Sequence, residues 1–210
     1  MRVAPEGWPF ILIAWGLALL AAIVGWTVVA LVLLPIALWV IAFFRDPIRE
    51  GRRGEDLVIA PADGKVVSII PMDEPHVIGG PSVRVSIFMN VFNVHVNCYP
   101  VTGEVTFRQH RSGRFFNAAT EKAALENEQS DVGLRTARGV LLVRQIAGLV
   151  ARRIITDHAV ATRVAQGERL GLIRFGSRVD VFLPAGTPIL VREGDTTLAG
   201  QTVIAEWPDA

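Results

Sequence analysis

The chain is poor in the residues that anchor several common chemistries. Only one of its 210 residues is cysteine, Cys98. No intrachain disulfide can form, a reducing compartment is allowed, and the ordinary role for such a lone thiol is a small buried side chain. Lysine is nearly absent: Lys65 and Lys122 stand beside nineteen arginines. A lysine-linked cofactor therefore has at most two attachment points, and neither lies in the exposed hairpin turn that a biotinyl or lipoyl carrier needs. There is no glycine-rich phosphate loop with its lysine, no GxGxxG opening a helix, and no Cys or His pair at metal-ligand spacing, so no metal is expected. A surplus of one charge is also missing. The formal net charge is +1, which argues against a nucleic-acid partner.

What the chain has in excess is apolar length. Its mean hydropathy of +0.41 is too high for an ordinary soluble domain, and the excess is local. From Trp8 to Phe44, 37 residues pass without a charged side chain, whereas a bilayer span needs roughly 20. The pattern predicts two short apolar helices broken near Gly25-Trp26-Thr27, with Pro35 as a possible kink and Trp8, Trp26 and Trp39 as interfacial anchors. A shallow re-entrant hairpin, or one tilted span with an interfacial piece, fits the same lengths. A cleaved signal peptide does not fit, because the run is too long and no small-residue cleavage site follows it. Arg2 on one side and Arg45, Arg49, Arg52 and Arg53 on the other place both ends on the cytoplasmic face of the cell membrane. The expected organisation is a membrane anchor over residues 1–44, a basic linker over 45–56 and one domain over 57–210.

That domain reads as mainly β. "LVIAPADGKVVSI", "SVRVSIFMNVFNVHVN", "GEVTFRQH", "GVLLVRQIAG", "RRIITD" and "RVDVFL" are short β-branched runs separated by Gly, Pro and Asp, the pattern of a barrel-sandwich-like fold. The exception is Phe115 to Gln129, Ala- and Glu-rich, which suits a helix or a structured loop. No internal repeat or low-complexity segment appears.

In "RLGLIRFGSRVDVFLP", Arg169 to Pro184, apolar alternation predicts two strand pieces with Gly176-Ser177 where they join. Glycine there marks a bulge or a close approach to the backbone. A serine hydroxyl becomes nucleophilic when a base takes its proton, and the base works best when a carboxylate fixes its tautomer. His95 in "FNVHVN" is the candidate base, on a strand pattern that puts it on one face with Asn93 and Asn97. Asp63 in "PADGKV", in a turn set by Pro61 and Gly64, is the candidate carboxylate. From spacing alone the three are equally a turn aspartate, a structural histidine and a chance Gly-Ser pair.

Five stretches, "FFRDP", "PADGKV", "FMNVFNVHVN", "GRFFNAATEKAALENE" and "IRFGSRVDVFLP", occur in the order and context of the short, membrane-associated phosphatidylserine decarboxylases. The chain resembles that family over essentially its whole length. The resemblance implies a pyruvoyl enzyme, in which the proenzyme cuts itself before an internal serine and that serine becomes an N-terminal pyruvoyl group acting as electron sink. On this resemblance Gly176-Ser177 is the cleaved bond, Ser177 the pyruvoyl precursor, and Asp63 and His95 match the residues that drive cleavage. It further implies a heterodimer of a β-chain, 1–176, and an α-chain, 177–210. The implied substrate is a membrane phospholipid whose serine amine forms a Schiff base with the pyruvoyl ketone before CO2 leaves, yielding phosphatidylethanolamine. An archaetidylserine-type ether lipid shares the head group and stays open. Longer members carry a second histidine three residues before the one matched by His95; this chain has Phe92 there.

Arg111 and Arg114 are candidates for the lipid phosphate, against the plainer reading of solvated surface arginines. Asn117 and Glu128 are candidates for a supporting layer around the site. His76, His110 and His158 have no partner at recognisable spacing and are expected to be structural. Two rivals use some of the same features. A membrane-tethered serine hydrolase also needs Ser, His and Asp, but Gly176-Ser177 lacks the G-x-S-x-G elbow. A non-catalytic barrel-sandwich adaptor needs no Ser177 and calls for long helical-hairpin sequence, which is absent.

Overall fold

A computed structural model describes residues 2–149, 153–174 and 176–208. The chain divides into two units, residues 1–48 and 49–210.

In the first unit, strand β1 (Arg2–Val3) leads into helix α1 (Trp8–Ile23), and helix α2 (Thr27–Phe43) returns to strand β2 (Arg45–Asp46). Straight-chain Leu and Ala favour helix throughout, and Pro9 sits in the first turn, where its missing N–H costs nothing. The turn falls at Gly25, whose φ of +82° is a left-handed value that side chains rarely adopt. Pro35 lies inside α2 without ending it. β1 and β2 pair antiparallel, Arg2 opposite Asp46, and close the base of the hairpin. Leu12, Ile13, Ile23, Val28 and Leu31 are each more than half exposed. Helices apolar on all sides suit a lipid environment, so this unit is a membrane-associating segment. The stretch Pro5–Ile23 is long and apolar enough to cross a bilayer, and α2 is somewhat shorter.

The second unit is β-rich, in keeping with 40% strand and 21% helix among the described residues. Its elements are β3 (Leu57–Ile59), β4 (Gly64–Glu74), β5 (Gly80–Met89), β6 (Val96–Cys98), β7 (Gly103–Arg111), α3 (Glu121–Glu126), β8 (Gln129–Arg135), β9 (Val140–Ala147), β10 (Ile154–Thr156), β11 (Arg163–Val164), β12 (Arg169–Ile173), β13 (Ser177–Pro184), β14 (Thr196–Thr197) and β15 (Val203–Glu206). Eight of them form one curled, half-barrel sheet in the order β11-β7-β8-β9-β13-β5-β4-β14. A three-stranded sheet, β10-β12-β6, and the pair β15-β3 complete the unit.

Strand alternation decides what faces the core. Val85, Ile87 and Met89 of β5 and Val179, Val181 and Leu183 of β13 enter one apolar cluster with Val143, Ala147, Leu170 and Ile173. The intervening Arg84, Ser86, Arg178 and Asp180 point to the other face and are buried there too. Two sequence expectations are refined. The run "SVRVSIFMNVFNVHVN" is not one strand: β5 stops at Met89 and β6 begins at Val96. Between them the Asn90 side chain accepts from the Phe92 amide and the Asn93 side chain accepts from the Asn90 amide, local bonds that compete with a strand ladder. Within Phe115 to Gln129, only Glu121–Glu126 is helical.

Candidate active site

β12 ends at Ile173 in the three-stranded sheet, and β13 begins at Ser177 in the middle of the eight-stranded one. The Gly176-Ser177 bond therefore sits where the chain passes from one sheet to the other. Ser177 is fully buried and is paired on one side with Met89 of β5 and on the other with Ala147 of β9. Its hydroxyl points to the core face and donates to Met89 Sδ at 3.7 Å. Gly176 has φ +66°, again left-handed, while a Cβ there would meet nothing within 4 Å. Glycine is needed at 176 for its backbone conformation rather than for lack of space. Behind its carbonyl lies Gly148, where any Cβ would overlap the Gly176 oxygen.

His95 is fully buried beside this junction. Its Nδ1 lies 3.0 Å from the Asn93 carbonyl, which only accepts, and its Nε2 lies 3.3 Å from the Gly176 amide, which only donates. Together these bonds assign the proton to Nδ1 and leave a lone pair on Nε2, the form that acts as a base. Asp63 is also buried, but its hydrogen bonds run elsewhere. One oxygen accepts from the Ala199 amide at 2.8 Å, and the other pairs with Arg49 Nη2 at 2.6 Å. The imidazole is thus oriented by a backbone carbonyl in the Asn90–His95 loop, and Asp63 is tied to the segment that follows the apolar hairpin. Arg53 of the same segment donates to the Gly200 carbonyl. Two arginines of the stretch read as a linker are therefore bonded into the β-rich unit.

The remaining sequence candidates lie on the 111–128 segment. Arg111 donates to the Gln129 side chain. Arg114 is 73% exposed at its side chain, pairs loosely with Glu126 at 3.7 Å and lies over the Phe116 ring. Asn117 caps the turn before α3 by accepting from the Ala119 amide. Glu128 stands 3.6 Å from His110. His158 contacts Tyr99 and Glu168, and His76 stacks on Phe107. Burial pushes the Cys98 thiol up to about 12, with Asp63 adding to the rise and Arg53 and Arg49 opposing it.

Three features of the site were missed in the sequence. Asn127, almost fully buried, exchanges hydrogen bonds with both backbone groups of Phe116 and donates to the Ala147 carbonyl, joining the loop before α3 to the strand end beside Ser177. Gly148 is the second. The third is an ionic cluster on the other face of β13, buried except at Glu121: Arg178 bonds Asp180 at 2.6 and 3.1 Å, Ser86 at 2.8 Å and Glu121 at 3.3 Å, and Arg84 bonds Glu121 at 2.6 Å. Burial alone would raise the Glu121 carboxyl, but the bond from Arg84 and the charges of Arg178 and Arg84 outweigh it and hold it below the usual range. The signal available was "SRVDVFLP" itself, two opposite charges alternating with core residues in a strand with few other polar groups.

The chain as a whole can be placed among known proteins. A family model described as phosphatidylserine decarboxylase matches residues 36–205. A protein of Symbiobacterium thermophilum is 48% identical over 207 residues, covering 98% of this chain and 96% of its own. One of Aromatoleum aromaticum is 48% identical with the same coverage, and one of Geotalea uraniireducens is 42% identical, covering 98% and 97%. All three are named phosphatidylserine decarboxylase proenzyme. The chain belongs to the phosphatidylserine decarboxylase family.

Proposed function

We propose that this chain is a proenzyme that cuts its own Gly176-Ser177 bond and then acts as a pyruvoyl-dependent phosphatidylserine decarboxylase on the cytoplasmic face of the cell membrane. Family membership makes removal of the phosphatidylserine carboxyl group the reaction. The observation that supports the finer reading is the junction: a left-handed glycine held through its amide by the basic nitrogen of His95, followed by a buried serine at the start of a central strand.

Ser177 Oγ, turned from Met89 toward the Gly176 carbonyl carbon, forms a C–O bond as the C–N bond to Ser177 breaks, giving an ester. His95 Nε2 takes the hydroxyl proton and passes it to the departing Ser177 nitrogen. Loss of the Cα proton of residue 177 to a base as its Cβ–O bond breaks releases Gly176 as a carboxylate, and water converts the remaining dehydroalanine to a ketone with loss of ammonia. A pyruvoyl group formed here fits its surroundings, because residue 177 is held by strand pairing on both sides and stays in place when the bond before it opens. That group supplies the carbonyl that captures the lipid amine and accepts the electrons left when CO2 departs. His95, beside the new chain end, is the group placed to hold or return a proton. Asp63 is a positioning residue acting through Arg49 and Ala199, and Arg114 and Arg111 are assigned the lipid phosphate.

Denaturing gels of wild type, Ser177→Ala and His95→Ala test this reading. Wild type should give two pieces and Ser177→Ala one chain, while His95→Ala should cut at least about a hundredfold more slowly, the low end of what a positioned base contributes. Normal cutting in His95→Ala would assign the base to another group.

A further inference from the structure

Resting on that reading, we propose that Arg178 and Glu121 are positioning residues for self-cleavage: their ion pair ties the strand that begins at the cut to the segment that backs the scissile carbonyl. Once the bond opens, the same pair bridges the two products.

Arg178 is the second residue after the proposed cut. Side chains alternate along β13, so Ser177 faces the core while Arg178 faces the opposite side, and fixing the Arg178 guanidinium fixes the pleat that aims Ser177. The fixing is thorough. Arg178 is fully buried, and its Nε, Nη1 and Nη2 all have partners: Asp180, Ser86, Glu121 and the Thr120 carbonyl. Arg84 supplies a second cation, against Glu121 at 2.6 Å and Asp180 at 3.8 Å, so two arginines face two carboxylates. Such clusters are weak sources of net stability, since desolvation offsets most of the attraction, and their best-attested use is to fix one arrangement among several.

The arrangement fixed here includes the scissile carbonyl. Glu121 opens α3, and the turn before α3 carries Ala118, whose Cβ lies 3.2 Å from where a Cβ on Gly148 would stand. Gly148 in turn lies directly against the Gly176 oxygen. Asn127 closes the loop from its far end by binding Phe116 and the Ala147 carbonyl. Releasing Glu121 therefore loosens the turn that packs on Gly148, the residue against the Gly176 carbonyl. The cluster also spans the cut: Arg178 and Asp180 belong to 177–210, while Arg84, Ser86, Thr120 and Glu121 belong to 1–176.

Glu121 is the residue to change, because its side chain is 54% exposed and its loss leaves no new cavity in the core. In full-length protein, Glu121→Ala and Glu121→Gln are followed by the rate at which the two pieces appear, by thermal midpoint, and by hydroxylamine, which attacks the ester carbonyl of Gly176 and so reports how much chain has passed the acyl shift. Glu121→Ala should cut at least about tenfold more slowly, a loss out of proportion to any fall in midpoint, with less hydroxylamine-sensitive ester, and Glu121→Gln, which keeps the hydrogen-bonding shape, should recover part of the rate. Should Glu121→Ala fold poorly, the Glu121→Gln rate decides by the same criteria. Wild-type cutting rates in both variants would overturn the proposal while leaving the cleavage reading intact. A wild-type chain that never cuts would overturn both.

Discussion

Two bonds of His95, one to a loop carbonyl and one from a glycine amide, decide which of its nitrogens can take a proton. "FNVHVN" identified the histidine through family resemblance. It could not reveal the tautomer, because Asn90 and Asn93 bend the chain by side-chain bonds that a strand pattern hides. Gly148 was equally hidden, since its reason is a neighbour 28 residues away in sequence. Gly148→Ala should destabilise by about 1–3 kcal/mol through overpacking and slow cutting out of proportion, as a gel time course beside a denaturant titration would show. Cys98 gives a pH test. Its thiol ionises near 9.0 in an unfolded chain but only at about 12 when buried, so between those values the unfolded state holds fewer protons and stability falls as pH rises. Denaturation midpoints should drop across that window in wild type and much less in Cys98→Ala, and iodoacetamide at pH 8 should label the thiol only in urea.

At the level of helices and strands, the longest apolar runs were the most legible. The hairpin break near Gly25 and the alternation of β5 and β13 follow from composition and period, because burial on one face or in lipid leaves few alternatives. α3 was less legible: Ala and Glu favour helix across Phe115 to Gln129, yet Asn127 and the Arg178 cluster hold most of that stretch as loop. The arginines after the hairpin were ambiguous, since one basic run serves a membrane face and an ion pair to Asp63 alike. With Arg2 and Arg45 at its two ends, the hairpin should keep both termini on the cytoplasmic side. A cysteine placed at Glu6 should resist an impermeant reagent in intact cells, and labelling there would contradict this topology. Removing residues 1–48 should reduce turnover of bilayer phosphatidylserine far more than turnover of a short-chain soluble analogue.

For the assembled protein, cutting need not mean falling apart. β13 pairs with β5 and β9, β14 with β4 and β15 with β3, so every strand of 177–210 is bonded to a strand of 1–176. Asp63 to Ala199, Thr197 to Ala62 and Arg53 to Gly200 add further ties across the cut. The two chains should co-elute under native conditions and separate only when the sheet unfolds in denaturant. Intact mass spectrometry of the purified wild-type protein bears most directly on how this enzyme makes its own reactive group. A β-chain ending at Gly176 and an α-chain of residues 177–210 bearing a ketone in place of its terminal amine is the expected result. A single intact chain with an ordinary Gly176-Ser177 amide and full decarboxylase activity would contradict it.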